Sequence, residues 1–483
     1  MYLDEMYSDK PKEECGIFGI ACDDEPVSYS TYLGLFSLQH RGQESAGIVV
    51  GDGERMEVKR GMGLVTDVFK DGFPELKGNK AIGHVRYSTS GASIAVNTQP
   101  LKVAAADGNL ALAHNGNLTN ICSLKKKLAA QGALFHTTMD SEIIVNVIAH
   151  SQKATIEEKI AESMTIIEGA FCLVVLTDDK LIAVRDEFGF HPLCIGKLPE
   201  GWVVASESCA LDAVGAQFVR DIEPGEIIVI EKAQDAFKSF YFPKQKKEKA
   251  HCVFEYIYFA RVDSVLDKES VYMSRVAMGR ELARENADII ERADVVISVP
   301  DSGTPAAIGF GLESGVPFME GLNKNRYVGR TFIQPTQQKR DIAVRMKLNP
   351  TRAIVEDKSV IMIDDSIVRG TTSGKIVRLL KEAGAREVHM LISSPPILHP
   401  CYYGIDTAVR KELIAVTHSI EEIREYITAD SLRFISMQGL KNSFANVSPD
   451  NMCYACFNAN YPVKPEDAEE LIKNNCQALQ EGE

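Results

Sequence analysis

The sequence lacks any apolar run close to the roughly 20 residues that a membrane-spanning helix requires, so we expect a soluble protein. It also lacks a surplus of basic residues. The formal net charge of −14 argues against general nucleic-acid binding, because phosphate backbones require a basic surface. No secretion signal begins the chain, since residues 1–14 are rich in charge and have no apolar centre. The eleven dispersed cysteines therefore indicate cytoplasmic thiols or metal ligands rather than a disulfide framework.

The length of 483 residues predicts two domains rather than one core. The charge run KQKKEK at 244–249 is the expected linker. We therefore place a leader at 1–14, one domain at 15–244, a second domain at 245–465 and a tail at 466–483. In the first domain, short apolar or alternating runs predict large sheets, and runs of helical periodicity predict helices that cover them. The predicted strands are Gly16–Ala21, Gly47–Gly51, Ala81–Tyr87, Leu110–His114, Ala170–Leu176, Leu181–Arg185, Trp202–Ser206 and Glu226–Ile230, and the predicted helices are Ser30–Leu38, Leu118–Ala130, Glu142–His150 and Ile156–Ile167.

The second domain has a different rhythm, in which strands and helices alternate. Such alternation predicts a parallel sheet whose ligands gather at the carboxyl ends of the strands. The predicted elements are the strand Val295–Val299, the helix Ala306–Glu313, the strand Ser359–Ile363, the helix Lys375–Glu382 and the strand Val388–Ile392.

One stretch of this domain, Val360–Ser373, combines a buried strand with a turn rich in hydroxyl groups. It reads VIMIDDSIVRGTTS, so the apolar run ends at two adjacent carboxylates, Asp364 and Asp365. The turn contains Gly370, which lets the backbone approach a ligand, and it leads into a predicted helix whose dipole favours an anion. By itself the pattern fits either a phosphate site, with the carboxylate pair suited to sugar hydroxyls or Mg²⁺, or a strand, a capped turn and a helix with no ligand.

This order of residues resembles the diphosphoribose-binding loop of type I phosphoribosyltransferases. The resemblance implies that the turn holds the 5-phosphate and that the two aspartates bind the ribose hydroxyls. An earlier loop, Pro300–Pro305, would take the diphosphate side of the substrate, with Ser302 near Mg²⁺ beside Asp364 and Asp365. The residues implied in phosphoribosylpyrophosphate binding are Asp301, Ser302, Gly303, Asp364, Asp365, Ser366, Val368, Arg369, Gly370, Thr371 and Thr372.

A basic segment separates these two loops. Between residues 324 and 347 the bases are Lys324, Arg326, Arg330, Lys339, Arg340, Arg345 and Lys347, and Asp341 is the single acid. This composition fits either a solvated basic loop or a polyanion site. The phosphoribosyltransferase resemblance implies a lid, which would exclude water and assist the diphosphate leaving group. The lid residues would be Lys324, Arg326, Arg330, Arg345 and Lys347.

Cys15 stands between the charged leader and the apolar run Gly16–Ile20. A cysteine beside a buried strand is most often small apolar filling. If the leader were removed as a propeptide, the new α-amine, with an unperturbed pKa of about 7.7 to 8.0, could act as general base for the thiol of the same residue. Cys15 is therefore a candidate nucleophile.

Acyl transfer by such a nucleophile requires oxyanion donors, and HNGN at 114–117 offers the Asn115 amide and the Gly116 N–H on a turn after a strand. An amino-acid substrate also requires a cation for its carboxylate and an anion for its ammonium group. Arg86 and Asp140 are suitable residue types for these two roles.

The segments CGIFG, QHRGQE, GHVRY, HNGN and DSE occur in the order found in class II glutamine amidotransferases, and the resemblance covers the first domain. Those enzymes are N-terminal nucleophile hydrolases with a four-layer α/β/β/α fold. The resemblance implies that Cys15 attacks the side-chain amide of glutamine while Asn115 and Gly116 hold the oxyanion. It also implies that Arg86 and Asp140 bind the backbone groups of glutamine. Arg41 and Tyr87 would belong to a loop that closes over the substrate.

Four further cysteines lie in segments of interest. By chemistry alone, Cys453-x-x-Cys456 fits zinc, an iron–sulfur cluster or no metal, with zinc favoured. However, HCVFE around Cys252, PPILHPCYYGID around Cys401 and CYACF at 453–457 resemble ligand segments of [4Fe–4S]-bearing glutamine phosphoribosylpyrophosphate amidotransferases. The resemblance implies a cluster held by these four cysteines. Residues 458–460 read NAN, where that family leads us to expect a turn that contains glycine.

Over nearly the whole chain, the two halves together resemble this amidotransferase family. The resemblance implies that ammonia from glutamine passes internally to phosphoribosylpyrophosphate and attacks its C1 as Mg-bound diphosphate leaves. The product would be 5-phosphoribosylamine, with which purine synthesis begins. Feedback by purine nucleotides and a homotetramer are further implications.

Two other functions are distinguishable. A hexosamine-forming class II amidotransferase would share the hydrolase residues but lack Asp364 and Asp365 with their turn. A regulator that only senses phosphoribosylpyrophosphate would have no use for the hydrolase residues, and the sequence contains no added DNA-binding module or basic recognition helix.

Overall fold

The computed structural model describes residues 15–24, 26–70, 76–87, 92–105, 108–243, 247–325, 348–405, 407 and 410–464. The predicted leader, most of the predicted lid and the predicted tail lie outside these ranges. Within them, no helix has both the length and the apolar character to cross a membrane. All ten cysteines in these ranges are free thiols.

The first half is a sandwich of two antiparallel sheets. Its strands are β1 Gly16–Cys22, β2 Ser45–Gly51, β3 Met56–Met62, β4 Lys80–Arg86, β5 Leu101–Ala105, β6 Gly108–Leu118, β7 Gly169–Thr177, β8 Leu181–Arg185, β9 Cys194–Leu198, β10 Gly201–Ala205, β11 Gln217–Asp221, β12 Glu226–Ile230 and β13 Lys238–Tyr241. One sheet has the order β11-β9-β10-β1-β4-β2-β3, and the other has the order β13-β12-β8-β7-β6-β5.

Helices cover the outer face of each sheet. They are α1 Val27–Ser37, α2 Val65–Val68, α3 Ile121–Ala130, α4 Asp140–His150, α5 Ile156–Met164 and α6 Ser208–Ala213. Because side chains alternate along a strand, Ile17 of β1 packs between the sheets, whereas Phe18 packs against the helical layer. Both faces of β1 are therefore buried, which explains its nearly continuous apolar sequence. The predicted four-layer α/β/β/α arrangement is confirmed.

The second half centres on a parallel sheet. Its strands are β14 His251–Cys252, β15 Val265–Leu266, β16 Glu269–Ser270, β17 Val295–Ser298, β18 Leu322–Lys324, β19 Leu348–Pro350, β20 Ser359–Asp364, β21 Glu387–Ile392, β22 Ser431–Phe434 and β23 Met452–Cys453. The order β17-β20-β21-β22 forms the parallel sheet that we predicted. Short pairs join β14 to β23, β15 to β16 and β18 to β19.

The helices of this half pack on the sheet and connect its strands. They are α7 Val271–Arg284, α8 Ala287–Ile290, α9 Thr304–Ser314, α10 Arg352–Val355, α11 Thr371–Glu382, α12 Ile414–Thr417, α13 Ile420–Ile427, α14 Met437–Asn442 and α15 Ala455–Asn458, with a π-helical turn at Glu255–Phe259. The hydroxyl residues at 371–373, predicted as a turn, form the first turn of α11 instead. Gly370, whose φ is +75°, precedes this helix and makes the sharp change of direction.

Polar and aromatic contacts join the two halves. The rings of Phe190 and Tyr403 stack with centroids 4.2 Å apart. Arg185 Nη2 lies 3.0 Å from Oδ2 of Asp267, and both side chains are largely buried. Loss of either partner of a buried ion pair leaves an uncompensated charge, so this contact disfavours separation of the halves.

Candidate active sites

Cys15 lies at the start of β1 with only 6% of its surface exposed. Its thiol donates a hydrogen bond to the backbone carbonyl of Tyr87, with Sγ and O 3.3 Å apart. Burial raises the pKa of the Cys15 thiol to about 11, even though the charge of Arg86 acts to lower it. The thiol is therefore protonated at neutral pH and requires a base before it can attack a substrate.

A buried histidine connects the strand beside Cys15 to the second sheet. His84 of β4 is opposite Ile17, and its Nε2 lies 2.9 Å from the carbonyl oxygen of His114 on β6. Burial lowers the pKa of His84 to about 3. The ring is thus neutral, and Nε2 carries the proton that is donated to the carbonyl. This hydrogen bond holds the following residue of β6, Asn115, at the same end of the sandwich as Cys15.

Asn115 and Gly116 lie within β6, so the predicted turn after His114 is wrong. The pairing of β6 with β7 continues as far as Leu118 opposite Gly169. Gly116 is required for a close approach rather than for a turn. Its φ is +138°, and an added Cβ would lie 2.1 Å from the carbonyl oxygen of Ala170.

The side-chain amide of Asn115 is buried without a partner. Asn115 is 1% exposed, and neither Nδ2 nor Oδ1 has a hydrogen-bond partner among the described residues. Leaving a buried polar group unsatisfied costs roughly 1–3 kcal/mol. A buried polar group without a partner requires an explanation. A side-chain amide that forms its hydrogen bonds to a bound ligand provides one.

Arg86 and Asp140 carry opposite charges close to Cys15. The charge of Arg86 acts to lower the pKa of the thiol, and that of Asp140 acts to raise it. Arg86 ends β4 and is 2% exposed, and its Nη1 lies 3.5 Å from Oε2 of Glu44. Both predicted glutamine-backbone residues are therefore buried at the same end of the sandwich.

Asp140 is the first residue of α4, and its carboxylate is tightly held. Oδ2 accepts a hydrogen bond from the N–H of Leu118 at 3.2 Å, and Oδ1 lies 3.4 Å from Nδ1 of His114. Burial acts to raise the pKa of the Asp140 carboxyl, but His114 and the backbone N–H groups outweigh it, so the pKa lies below its ordinary value. The group is thus a permanent anion at neutral pH.

Arg41 lies in the segment after α1, but its guanidinium is buried instead of facing a ligand loop. Nε donates a hydrogen bond to the carbonyl oxygen of Cys15 at 3.2 Å. Nη1 lies 2.5 Å from Oε1 of Glu207, and Nη2 lies 2.5 Å from Oε1 of Glu255. Arg41 therefore connects the backbone of Cys15 to one carboxylate in each half. Tyr87 is also buried, and residues 88–91 after it lie outside the described part.

The carboxyl end of β20 carries the second candidate site. Asp364 is 3% exposed and Asp365 is fully buried. The N–H of Asp365 donates to Oδ1 of Asp364 at 2.9 Å, and the hydroxyl of Ser366 donates to Oδ1 of Asp365 at 2.8 Å. Among the described residues, no three His, Cys, Asp or Glu side chains gather closely enough to hold a metal ion by themselves. Two carboxylates fit Mg²⁺ only when substrate oxygens and water complete its octahedron.

The segment after this pair is shaped by its neighbour, the short helix α12. Val368 is buried, and its carbonyl accepts a hydrogen bond from the N–H of Ile414 at 2.9 Å. An added Cβ on Gly370 would lie 2.9 Å from Cδ1 of Ile414, so the Ile414 side chain would have to move to admit a larger residue. Arg369 forms an ion pair with Glu412. The N–H groups that begin α11 after Gly370 are of the kind that a helix N-terminus offers to an anion.

The loop before α9 lies beside the end of β20. An added Cβ on Gly303 would lie 2.6 Å from the carbonyl oxygen of Ile363, so the two predicted substrate loops are in direct contact. Asp301 follows a cis peptide bond. It forms an ion pair with Lys324, in which Oδ2 and Nζ are 2.9 Å apart. Ser302 is partly exposed at this edge. The other predicted lid residues, Arg326, Arg330, Arg345 and Lys347, lie outside the described ranges.

Four cysteines from three segments line one cavity. Cys252 and Cys453 are opposite each other in the β14–β23 pair, and Cys456 lies on α15. The lining residues are Cys252, Cys401, Cys453, Cys456, Phe190, His191, Tyr403, Ile405 and Ala455. The four thiols converge on a mostly apolar cavity, but among the described residues no three His, Cys, Asp or Glu side chains, these thiols included, lie close enough together to hold a metal ion as they stand.

The turn after Cys456 explains why glycine was expected there. Ala459 has a φ of +62°, which places it in the left-handed region that glycine adopts without strain. The alanine at this position departs from the expected sequence but not from the expected backbone conformation.

Sequence reasoning missed the buried carboxylates Glu207 and Glu255. Each is a lone acid among apolar or small residues, in VVASESCA and VFEYIYFA respectively. Because Glu is almost never fully buried unless it is paired, an acid in such a run signals a hidden cation partner. The sequence does not identify that partner, since Arg41 is far away along the chain.

Comparison with known proteins identifies the family of this chain. A family model described as a glutamine amidotransferase domain matches residues 84–213. An amidophosphoribosyltransferase of Bacillus subtilis is 48% identical over 94% of this chain and 94% of its own, and one from Archaeoglobus fulgidus is 47% identical over 93% and 98%. The solved structure of the B. subtilis glutamine phosphoribosylpyrophosphate amidotransferase complexed with ADP and GMP superposes with a TM-score of 0.87, at 48% identity over 93% of this chain and 98% of that chain. The chain belongs to the amidophosphoribosyltransferase family.

Proposed function

We propose that this protein transfers the amide nitrogen of glutamine to phosphoribosylpyrophosphate, giving 5-phosphoribosylamine, glutamate and diphosphate, at the start of purine synthesis. Family membership over nearly the full chain supports this reaction. The buried amide of Asn115, which has no hydrogen-bond partner among the described residues, lies at the Cys15 end of the sandwich and carries the proposal for the first site. The second domain supplies the acceptor site, which a hexosamine-forming enzyme would not contain.

At the glutamine site, Cys15 is the nucleophile. Its high pKa means that the thiol does not ionise by itself at neutral pH. Removal of residues 1–14 as a propeptide would free the α-amine of Cys15, which then takes the thiol proton. Asn115 and the N–H of Gly116 stabilise the oxyanion, and Arg86 and Asp140 bind the substrate carboxylate and ammonium groups. Arg41 and Tyr87 fix the backbone and thiol of Cys15.

At the phosphoribosyl site, the start of α11 binds the 5-phosphate, and Asp364 and Asp365 bind the ribose hydroxyls. The residues Asp301, Ser302 and Gly303 take the diphosphate side, and Lys324 joins the lid. Ser302, Asp364 and Asp365 would hold Mg²⁺ together with substrate oxygens, and the ion would supply positive charge beside the diphosphate leaving group. Ammonia reaches this site internally, which avoids its loss to water.

The cavity residues Cys252, Cys401, Cys453 and Cys456 would hold a [4Fe–4S] cluster. Such a cluster would cross-link the segments that carry its ligands. None of the described cysteines forms a disulfide bond, as this assignment requires.

The wider organisation follows from the same proposal. The propeptide ends at residue 14, the glutamine domain spans 15–244, the phosphoribosyl domain spans 245–465, and a tail follows at 466–483. We expect a cytoplasmic homotetramer that is inhibited by purine nucleotides. The relative complexed with ADP and GMP supports nucleotide binding by this chain.

The test is an assay of anaerobically purified protein whose mass is first measured under denaturing conditions. Protein that begins at Cys15 should form glutamate and diphosphate in equal amounts when glutamine, phosphoribosylpyrophosphate and Mg²⁺ are all present. Ammonium at alkaline pH should replace glutamine, whereas a hexose phosphate should not replace phosphoribosylpyrophosphate. Diphosphate release with neither nitrogen source would contradict the proposal, and so would amination of a hexose phosphate.

A further inference from the structure

Glu255 connects the second half of the molecule to the backbone of Cys15. Its carboxylate receives two hydrogen bonds from Arg41: Nη1 lies 3.0 Å from Oε2, and Nη2 lies 2.5 Å from Oε1. The same guanidinium donates through Nε to the carbonyl of Cys15. A bidentate pair of this kind fixes the plane of the guanidinium as well as its position. The orientation of the Arg41 guanidinium, which donates to the Cys15 carbonyl, therefore depends on a residue of the other half.

A second arginine, Arg275, forms hydrogen bonds to the backbone of the short helical turn that carries Glu255. Arg275 of α7 donates through Nε to the carbonyl of Tyr256 at 2.8 Å, and through Nη2 to the carbonyls of Tyr258 and Ala260, also at 2.8 Å. Arg275 is itself buried. These three bonds satisfy carbonyl groups that the π-helical turn leaves open, so the base of Glu255 is fixed relative to α7.

His191 approaches the same carboxylate from the first half. Its Nδ1 lies 3.6 Å from Oε1 of Glu255, and its Nε2 lies 2.7 Å from the carbonyl oxygen of Tyr403. The ring is 1% exposed and forms part of the wall of the four-cysteine cavity. His191 thus packs between Glu255 and the segment that carries Cys401, although the distance from Nδ1 to the carboxylate is longer than a hydrogen bond.

Burial makes this arrangement rigid. Arg41 and Glu255 are each about 1% exposed, so water cannot replace either partner. A buried charge that loses its partner is strongly unfavourable, and neighbouring groups rearrange to compensate it. Neutralising Glu255 would therefore shift the Arg41 guanidinium toward Glu207 and away from the Cys15 carbonyl.

We propose that Glu255 and His191 are positioning residues for the glutamine reaction: they hold Arg41, and through it the Cys15 main chain, in the geometry that attack requires. This inference rests on the proposed function and adds residues of the phosphoribosyl half and of the cysteine cavity wall to the control of the glutamine site. Neither residue touches the substrate. Their effect is on the alignment of the nucleophile, where a small displacement produces a large loss of rate.

The test compares Glu255→Gln with Glu269→Gln. Glu269 is an equally buried carboxylate of the second half, but its partners are Ser274 and the N–H groups of Ala445 and Asn446, with no described contact to Arg41. The principal readout is the rate of Cys15 alkylation by a diazoketone analogue of glutamine, measured by peptide mass on the fraction that begins at Cys15. Glutamine-dependent and ammonia-dependent rates are measured on the same samples.

Glu255→Gln should lower the alkylation rate and the glutamine-dependent kcat by about tenfold or more, with the KM for glutamine changed by less than about threefold. The ammonia-dependent rate should stay within about twofold of the unmodified protein, and Glu269→Gln should leave all rates within the same range. An unchanged alkylation rate in Glu255→Gln would overturn the proposal, as would a parallel loss of the ammonia-dependent rate. If the proposed overall function were wrong, the unmodified protein would form no phosphoribosylamine, yet the alkylation comparison would still stand.

A second variant tests whether His191 acts through Glu255 and keeps the test usable if Glu255→Gln does not fold. His191→Gln should slow alkylation by about threefold, and the double variant should be no slower than Glu255→Gln alone, because residues in one path are not additive. Alkylation at the unmodified rate in His191→Gln, or losses that multiply in the double variant, would contradict a shared path.

Discussion

The two candidate sites hold their charged groups in opposite ways. At the glutamine site, Arg41, Arg86 and Asp140 are all buried and already paired within the protein. At the phosphoribosyl site, Asp364 and Asp365 are buried, but the side chains of Asp301 and Lys324 are 66% and 48% exposed and pair with each other. The first site is assembled before any ligand arrives, whereas the second has exposed charges that a ligand must rearrange. The difference matches the substrates, since a small amino acid suits a rigid pocket and a diphosphate suits mobile cations.

The largest effect is predicted for the variant that removes the nucleophile of the glutamine site. Cys15→Ala should lower glutamine-dependent activity by at least about a thousandfold, because no other group can form the acyl intermediate. Ammonia-dependent activity should persist, since the phosphoribosyl site is untouched. Cys22→Ala, at a second buried cysteine of β1, is the matched control and should retain both activities. Substantial glutamine turnover by Cys15→Ala would refute the assignment.

The next effect tests the unpartnered amide. Asn115→Ala should lower the glutamine-dependent kcat by about 10² to 10³, the usual loss for one oxyanion donor. It should not lower the thermal midpoint, because the amide has no partner among the described residues to lose.

Asn117→Ala provides the contrast on the same strand. Its Nδ2 donates to the carbonyl of Tyr402 at 3.0 Å, so this variant should lose about 1 kcal/mol of stability and little activity. If Asn115→Ala were the less stable of the two and kept its kcat, Asn115 would be a structural residue.

A third prediction compares buried and exposed carboxylates at the phosphoribosyl site. Asp364→Asn should lower activity with glutamine and with ammonia alike by about tenfold to a hundredfold, as expected for loss of a charged hydrogen-bonding group. Asp301→Asn changes an exposed residue of the diphosphate side whose ion pair with Lys324 is also exposed, so it should change either rate less, by under about fivefold. Initial rates over a range of phosphoribosylpyrophosphate concentrations provide the check. A loss confined to glutamine would place Asp364 in the wrong site.

The neutral His84 makes the rigid site sensitive to acid. The unfolded chain protonates this residue near its ordinary pKa of 6.5, but the folded protein does so only near 3. Stability is therefore complete above pH 6.5 and is lost as the pH falls, by about 1.4 kcal/mol per unit or about 2 kcal/mol at pH 5. Calorimetric midpoints at pH 7.5 and pH 5 should fall further apart in the unmodified protein than in His84→Gln. Equal pH dependence in the two proteins would show that His84 is not the responsible group.

The smallest effect concerns the turn after the cysteine pair. Ala459→Gly should stabilise the protein by about 1 kcal/mol, because glycine removes the strain of the left-handed conformation. Ala455→Gly in the adjacent helix, where the backbone is right-handed, should destabilise it by about 0.5–1 kcal/mol. Opposite shifts of the thermal midpoint are expected, and shifts of the same sign would contradict the assigned backbone.

Features encoded by consecutive residues could be predicted from the sequence, whereas features formed by residues distant along the chain could not. The strand β20 and the acids that end it were predicted because apolar run, carboxylates and glycine are consecutive. The HNGN segment was misread as a turn because its glycine serves a close approach to Ala170 on another strand. The network of Arg41, Glu207 and Glu255 was missed because its partners are distant in sequence and meet only through the packing of the two halves.

The most direct test of the contrast between the sites is a crystal structure with Cys15 alkylated by a glutamine analogue and with Mg²⁺ and a stable phosphoribosylpyrophosphate analogue bound. The account predicts that Asn115, Asp140 and Arg41 stay within about 1 Å of their present positions, as in other pre-organised sites. It also predicts that the Lys324–Asp301 pair opens and that Lys324 turns toward the diphosphate. Displacement of Arg41 or Asn115 with an intact Lys324–Asp301 pair would contradict it.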